Sequence, residues 1–343
     1  MSASSLETIL TRAWLRRGPL ACALLPLALV FGALAGARAA LYRAGLKPST
    51  RLPVPVVVVG NTFIGGTGKT PLTIWLVGVL RDAGFTPGVV SRGFGGSDSA
   101  PRAVSAASNA QQVGDEPLLI ARRAACPVVV GRDRAAAGRA LLAAHPEVDI
   151  LISDDGLQHY ALQRDVEIVL FDARGAGNGW LLPAGPLREP RSRRRDFTVV
   201  NAPEITPALR ASVGGAPFRM QLAGALAEPL THPGQGVALA ALAGKRIVAA
   251  AGIGNPGRFF AMLRAAGLAF EELALPDHHD FLDAPFARVD ADIILITEKD
   301  AVKCAQIDHL KDDLRLWVVP VSAQFDAALA ELIVEKCRGR SPA

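Results

Sequence analysis

The stretch Phe63-Ile64-Gly65-Gly66-Thr67-Gly68-Lys69-Thr70 lies between a β-branched run at residues 54–59 and a leucine-rich, helix-like run at residues 71–83. A strand, a glycine-rich turn ending in Gly-Lys-Thr and a helix together read as a phosphate-binding loop. Backbone N–H groups around Gly65, Gly66 and Gly68 can face one anion, and the helix that follows adds the positive end of its dipole. Glycine has no Cβ, so the chain can approach a phosphate closely. Residues Phe63 to Thr70 are then the nucleotide-binding loop. Lys69 would hold the β- and γ-phosphates, and the Thr70 hydroxyl would be a ligand for Mg2+, a hard cation that takes oxygen donors. The expected ligand is ATP or GTP. The general pattern has glycine at the first position of the loop, where this chain has Phe63, and an ordinary glycine-rich strand-to-helix turn is the competing reading.

Outward from this loop, short β-branched runs alternate with alanine- and leucine-rich stretches. Strands are predicted at residues 54–59, 87–91, 127–131, 149–153 and 166–172, and helices at 71–83, 116–123 and 135–145. That alternation specifies parallel strands with crossover helices. Residues 173–196 lack helical periodicity and contain Pro183, Pro186 and Pro190 with several arginines, which marks a functional loop. The pattern resumes at 197–201, 218–222, 247–251, 293–297 and 316–319, with a closing helix at 324–337. The glycine-rich region at 224–244 is the expected domain boundary. The fold class is therefore α/β: a P-loop NTPase-like parallel sheet, a second, smaller α/β domain and an N-terminal membrane-associated helix. The expected division is an anchor at residues 1–50, the P-loop domain at 51–223 and the smaller domain, contributing to the active site, at 224–343. A chain of 343 residues, half of them apolar, is long enough for two such cores.

The net charge of +5 points to an acidic partner, and nucleic acid, anionic lipid or a phosphorylated substrate would each satisfy it. Cys22, Cys126, Cys304 and Cys337 lie far apart, which suggests neither a zinc site nor a disulfide framework and fits a reducing cytoplasm. No charged residue occurs at positions 18–37. As a helix that run would reach ~30 Å, the thickness of a bilayer's hydrocarbon core. Three readings compete: a cleaved signal peptide, a spanning helix and a segment that dips into one leaflet. Export would part the phosphate loop from cytoplasmic ATP, and a span would place Arg12, Arg16 and Arg17 outside, against the positive-inside tendency. Arg38, Arg43 and Lys47 on the other flank weaken that objection, while Pro26, Gly32 and Gly36 disfavour one straight helix; a membrane-inserted anchor is expected, with spanning and non-spanning forms both open and a buried core helix as the bland alternative. Ser4 and Glu7 have capping-box spacing for a short amphipathic helix that carries Trp14 toward the headgroups.

Asp154-Asp155-Gly156 directly follows Ile150-Leu151-Ile152-Ser153, so both carboxylates should emerge at the carboxyl end of a strand, where α/β proteins place ligands. They suit a Mg2+ site, although Asp-Asp-Gly is also a common turn. Asp115 and Glu116 sit at an apparent helix start, where capping is the ordinary explanation. Asp277-His278-His279-Asp280 sets imidazoles beside carboxylates, as needed to orient a proton acceptor, and could equally be a solvated loop or a metal site. Arg188, Arg191, Arg193, Arg194 and Arg195 could grip a phosphate or headgroups. Few aromatic residues accompany them, so nucleic acid is not an expected partner. Thr297-Glu298-Lys299-Asp300 has a short likeness to a nucleotide-base recognition element.

The N-terminal apolar segment, Gly65 to Thr70, Ser91-Arg92-Gly93-Phe94, Gly114-Asp115-Glu116-Pro117, Asp154-Asp155-Gly156-Leu157-Gln158-His159, Leu182 to Pro190, Pro276 to Phe281 and Thr297 to Asp300 together resemble the tetraacyldisaccharide 4′-kinase family of lipid A biosynthesis. The resemblance covers nearly the whole chain. It implies transfer of the ATP γ-phosphoryl group to the 4′-hydroxyl of tetraacyldisaccharide 1-phosphate, giving lipid IVA, at the cytoplasmic face of the inner membrane. It further implies that Lys69 and Thr70 serve phosphate and Mg2+, that Asp154 and Asp155 organise the metal and the reacting phosphate, and that Asp115 paired with His278 is the proton acceptor. Arg134, Gln158, Arg188 and Glu189 would shape the substrate side. Phe94 stands where relatives can carry tyrosine, so a role for that hydroxyl is absent. No obligate protein partner is expected. The alternative from another class is a nucleotide-switched, membrane-associated P-loop binding protein. A metal-delivery protein finds no convincing ligand set here.

Overall fold

The computed structural model describes residues 10–93, 100–326 and 328–339, so the capping box read at Ser4 and Glu7 and the substitution at Phe94 lie outside the described residues. After a helical turn at residues 10–13, the described residues form two helices, α1 (Pro19–Ala23) and α2 (Leu25–Arg43). Pro19 and Pro26 each occupy the first turn of their helix, where a missing N–H breaks no intrahelical bond. The uncharged run is therefore divided at Leu24 instead of forming one rod. By length and composition α2 could cross a membrane, and Leu27, Leu29, Val30 and Leu34 on it are exposed.

There follow β1 (Val56–Gly60), α3 (Lys69–Asp82), β2 (Pro87–Ser91), β3 (Arg102–Val104), α4 (Ala110–Val113), α5 (Asp115–Ala124), β4 (Val128–Val130), α6 (Arg134–Ala144), β5 (Ile150–Asp154), β6 (Val166–Asp172), β7 (Phe197–Asn201), α7 (Pro207–Val213) and β8 (Phe218–Ala223). Then come β9 (Leu226–Pro229), β10 (Val237–Ala238), β11 (Ile247–Ala251), α8 (Pro256–Ala265), β12 (Glu271–Ala274), β13 (Ile293–Thr297), α9 (Glu298–Cys304), α10 (Asp308–Lys311), β14 (Leu316–Val319), β15 (Ser322–Phe325) and α11 (Ala328–Arg338).

One sheet has the order β15-β8-β7-β6-β1-β5-β2-β4-β3, parallel except for its two edge strands. Its middle strands are continuous apolar runs such as Val56-Val57-Val58-Val59, buried throughout because helices cover both faces. Val59 pairs with Asp154 and Gly60 with Val169, so the carboxyl ends of β1, β5 and β6 lie side by side, at the point where the winding reverses. The second sheet, β10-β9-β14-β13-β11-β12, has a parallel core and packs around Phe259, Phe260, Leu263 and Leu295 on one face and Phe281, Phe286 and Ile294 on the other.

The C-terminal segment departs from expectation. Residues 324 and 325 are not helical: Ala323 is buried and Phe325 stacks on Trp75 at 4.0 Å between ring centroids, a period-two pattern that makes β15 a strand. This strand pairs antiparallel with β8, so the chain returns to the first sheet and a division at residue 224 does not follow the sheets to the C-terminus.

Candidate active site

The loop between β1 and α3 is held from two sides. Asn61 is wholly buried, and its Nδ2 donates to the carbonyls of Phe63 (2.7 Å) and Gly65 (3.0 Å). Phe63 fills a small apolar pocket with Ala176 and Leu187, with the Arg174 guanidinium 4.1 Å from its ring centroid. The backbone is tied across the same seam, Ile64 N to Pro186 O (3.0 Å) and Arg188 N to Thr62 O (2.7 Å). The aromatic residue at the first loop position thus clips the phosphate loop to the segment 173–190. At Gly68 the backbone is left-handed (φ 102°), and a Cβ there would lie 2.5 Å from the Asn201 amide, which donates to Thr67 O at 2.9 Å. Glycine is required at Gly68 on both counts.

Asp154 and Asp155 are adjacent but have opposite environments. Asp154 ends β5 fully buried, taking hydrogen bonds from Thr73 Oγ1 (3.2 Å) and Ser91 Oγ (3.0 Å). Burial, with Glu116 and Asp155 nearby, pushes its carboxyl up to about 6. Asp155 turns out of the strand in a left-handed conformation (φ 48°), with Oδ1 3.6 Å from Lys69 Nζ and Oδ2 3.9 Å from Arg188 Nη1. Burial would raise it, but Lys69, Arg188 and Arg134 outweigh burial and hold it below the ordinary carboxylate range. Arg134 opens α6 beneath them, bonded to Gly131 O at 2.7 Å. Burial brings its guanidinium down to about 10 against the pull of Asp154 and Asp155.

A second constellation joins the two sheets. Asp115, in the first turn of α5, is buried, and its Oδ2 lies 3.0 Å from His278 Nδ1. His278 stands in the loop after β12 with φ 58°. Lys299 and Lys303, one turn apart on α9, place Nζ 3.9 and 3.8 Å from the same Oδ2. Burial would raise Asp115, but the His278 hydrogen bond and the two ammonium groups hold it below the ordinary range. The carboxyl ends of both sheets face each other here: Gly254, after β11, is so close to the phosphate loop that a Cβ on it would lie 3.2 Å from Gly66 N.

Arg188 joins the first constellation, donating to Asn61 Oδ1 at 3.1 Å, and Gln158 bridges Arg188 (3.5 Å) and Asn61 O (3.5 Å). Glu189 does not join it. Its Oε2 accepts from Tyr160 OH at 2.8 Å and from Arg193, which also pairs with Glu167. Arg195 bonds Thr198 Oγ1 and the Val213 carbonyl. Of the arginine cluster, Arg193 and Arg195 are therefore spent on the fold, and Arg191 and Arg194 are exposed. Sequence reading assigned no role to Asn61, Thr73, Ser91 or Asn201; Thr73, Ser91 and Asn201 act through long-range contacts that leave no local spacing, and Asn61 combines two local bonds with a distant one to Arg188. Lys299 stood in a stretch read for base recognition and lies instead beside His278, with Nζ 3.4 Å from Nε2.

A lysine-bearing phosphate loop, two aspartates at the next strand end and a carboxylate–imidazole pair facing them define a P-loop phosphotransferase of the α/β class. Residues 20–338 match the model of LpxK, tetraacyldisaccharide-1-P 4′-kinase, and the chain belongs to that family. It is 67% identical over 344 residues to the tetraacyldisaccharide 4′-kinase of Janthinobacterium sp. (strain Marseille), covering 98% of each chain. It is 60% identical over 351 residues to that of Herminiimonas arsenicoxydans, again covering 98% of each. A crystal structure of LpxK from Aquifex aeolicus in complex with ATP superposes with a TM-score of 0.76 at 28% identity, covering 92% of this chain and 99% of that one.

Proposed function

We propose that the chain transfers the γ-phosphoryl group of ATP to the 4′-hydroxyl of tetraacyldisaccharide 1-phosphate, forming lipid IVA, at the cytoplasmic face of the inner membrane. The observation that carries the reading, in a member of this family, is the buried Asp115–His278 pair, 3.0 Å apart, on the side where both sheets present their strand ends to the phosphate loop. A sugar hydroxyl needs a base as its proton becomes acidic, and a carboxylate kept ionised by its neighbours is free to accept it. Lys69 and the amides of the loop bind the β- and γ-phosphates, and Arg188, fixed by Asn61, faces the same charge. Arg134 and Gln158 position the acceptor sugar.

Thr70, Asp154 and Asp155 would hold Mg2+. All three offer oxygen, and Asp154 is a buried carboxyl that burial and neighbouring carboxylates drive toward neutrality, a condition an adjacent cation reverses. Bound there, Mg2+ would supply positive charge against the phosphates of the nucleotide. Residues 51–223 with 322–338 form the nucleotide-holding domain, residues 224–321 the smaller one, and residues 1–50 the anchor, whose exposed leucines enter one leaflet. Trp14 and Arg17 bond Pro183 O and Asn178 O, so the anchor is seated on the segment that carries Arg188.

The test is mass spectrometry of lipid products after incubating detergent-solubilised protein with Mg2+-ATP and tetraacyldisaccharide 1-phosphate. One phosphate added at the 4′ position, and lost in Lys69→Ala, is expected. Absence of product from folded, ATP-binding protein would overturn the reading.

A further inference from the structure

Lys299 touches more of the Asp115–His278 constellation than any role above uses. Its ammonium is largely enclosed and donates to Glu116 Oε1 at 3.0 Å, with Asp277 Oδ1 at 3.8 Å, Asp115 Oδ2 at 3.9 Å and His278 Nε2 at 3.4 Å. Those carboxylates keep it cationic against burial. An ammonium has three N–H donors and no acceptor, so it can meet His278 Nε2 favourably only where that nitrogen carries a lone pair. The single ring proton of a neutral imidazole then sits on Nδ1, pointing at Asp115.

We propose, resting on the kinase reading, that Lys299 is a positioning residue: it fixes His278 as the Nδ1-protonated neutral tautomer and keeps the Asp115–His278 pair one proton short, ready to take the proton of the acceptor hydroxyl. The proton released by the 4′-hydroxyl goes to Asp115, and Lys299 gives up none. Among the described residues, charged groups facing the pair include Asp115 and Glu116 from α5, Asp277 from the loop before His278, and Lys299 and Lys303 from α9, with Asp300 3.5 Å from Lys303 Nζ. The Asp115 hydrogen bond, helped by the charges of Asp115 and Asp277, raises His278 above the ordinary imidazole range, and burial and Lys299 limit that rise. Removing the Lys299 charge leaves that opposition weaker, and the pair holds its proton to higher pH.

The experiment uses the full chain and two readouts. In the first, kcat/KM for tetraacyldisaccharide 1-phosphate is followed against pH for the wild type, Lys299→Met and Lys299→Arg. The ascending limb, which reports the pair, should move up by about one pH unit in Lys299→Met and stay in place in Lys299→Arg. In the second, ring-nitrogen NMR of 15N-histidine-labelled protein, with His278 assigned through His278→Gln, should show Nδ1 protonated in the wild type and more imidazolium at neutral pH in Lys299→Met. Lys299→Gln serves as the charge-free variant if Lys299→Met fails to fold. A loss of activity with an unmoved limb, or a His278 spectrum indifferent to the charge at residue 299, would overturn the proposal. Failure of the wild type to phosphorylate the lipid would instead remove the kinase reading, and the ring-nitrogen spectra would still decide the role of Lys299.

Discussion

Replacing Phe63 by glycine, the residue the general loop pattern carries at that position, should damage the protein. The side chain is 1% exposed, packed against Ala176, Leu187 and partly buried Leu181, with Arg174 over its face. Truncating a buried phenylalanine removes about 3–5 kcal/mol. The lost cation–π contact removes about 0.5–1 more, and the freedom of a glycine in the unfolded chain about as much again. The sum, about 4–7 kcal/mol, is a large share of the 5–15 typical of a folded protein. Because Phe63 also clips the phosphate loop to the segment bearing Arg188, the KM for ATP should rise at least about tenfold, equivalent to about 1.4 kcal/mol of lost loop ordering. Urea unfolding in detergent gives the first number and initial rates against ATP concentration give the second. Phe63→Leu, which keeps most of the volume, should lose far less of both. A glycine variant within about 1 kcal/mol of wild type and with unchanged KM would refute the anchoring role.

Other expectations are as direct. Lys69→Ala and Asp115→Asn should each lower turnover by at least ~10² with circular dichroism unchanged, because each removes interactions that strengthen toward the transition state; near-normal turnover in a folded Asp115→Asn protein removes it as base. Asp154 has a folded-state carboxyl raised from 3.8 to about 6, so the native state binds more protons than the unfolded one across that window and stability falls as pH rises through it. With metal chelated, Asp154→Asn should lose that dependence and gain up to roughly 3 kcal/mol above pH 6 while losing activity, and thermal melts at pH 4 and pH 7 in both proteins measure it. Leu29 and Leu34 are about two-thirds exposed on α2. Leu29→Glu with Leu34→Glu should weaken flotation with anionic vesicles by at least tenfold and leave ATP affinity intact; equal loss of both would make the segment part of the nucleotide site.

The first sheet was legible because its strands are short β-branched runs, and the Val56–Gly60, Pro87–Ser91, Val166–Asp172 and Phe197–Asn201 strands fall where the runs lie. Edge strands were not: Arg102–Val104 and Ser322–Phe325 are short and half-polar, and only pairing with a neighbour makes them strands. The loop lysine announces itself by its Gly-Lys-Thr setting at a helix start, and both aspartates by sitting at a strand end. Asn61 does not, since an asparagine before a glycine-rich turn is an ordinary turn residue until it is seen to hold the carbonyls of Phe63 and Gly65 and to accept from Arg188, more than a hundred residues away. Among the arginines after Pro190, the run of like charges does not show that Arg193 is paired by Glu189, four residues before it, and by Glu167, twenty-six residues away, while Arg191 and Arg194 stay exposed.

The return of the chain to the first sheet has a mechanical consequence. Everything from β9 to β14 is inserted between two neighbouring strands, β8 and β15, and the two connections run side by side: a Cβ at Gly224 would lie 3.0 Å from Pro320 O. A body held by two adjacent tethers behaves like a door on closely set hinges. Two such tethers would let it swing toward or away from the phosphate loop, which would carry His278 and Lys299 to or from Asp115, and would resist sliding along the sheet. The reach of that swing is set at the hinge line, and a methyl group at residue 224 would be felt there first.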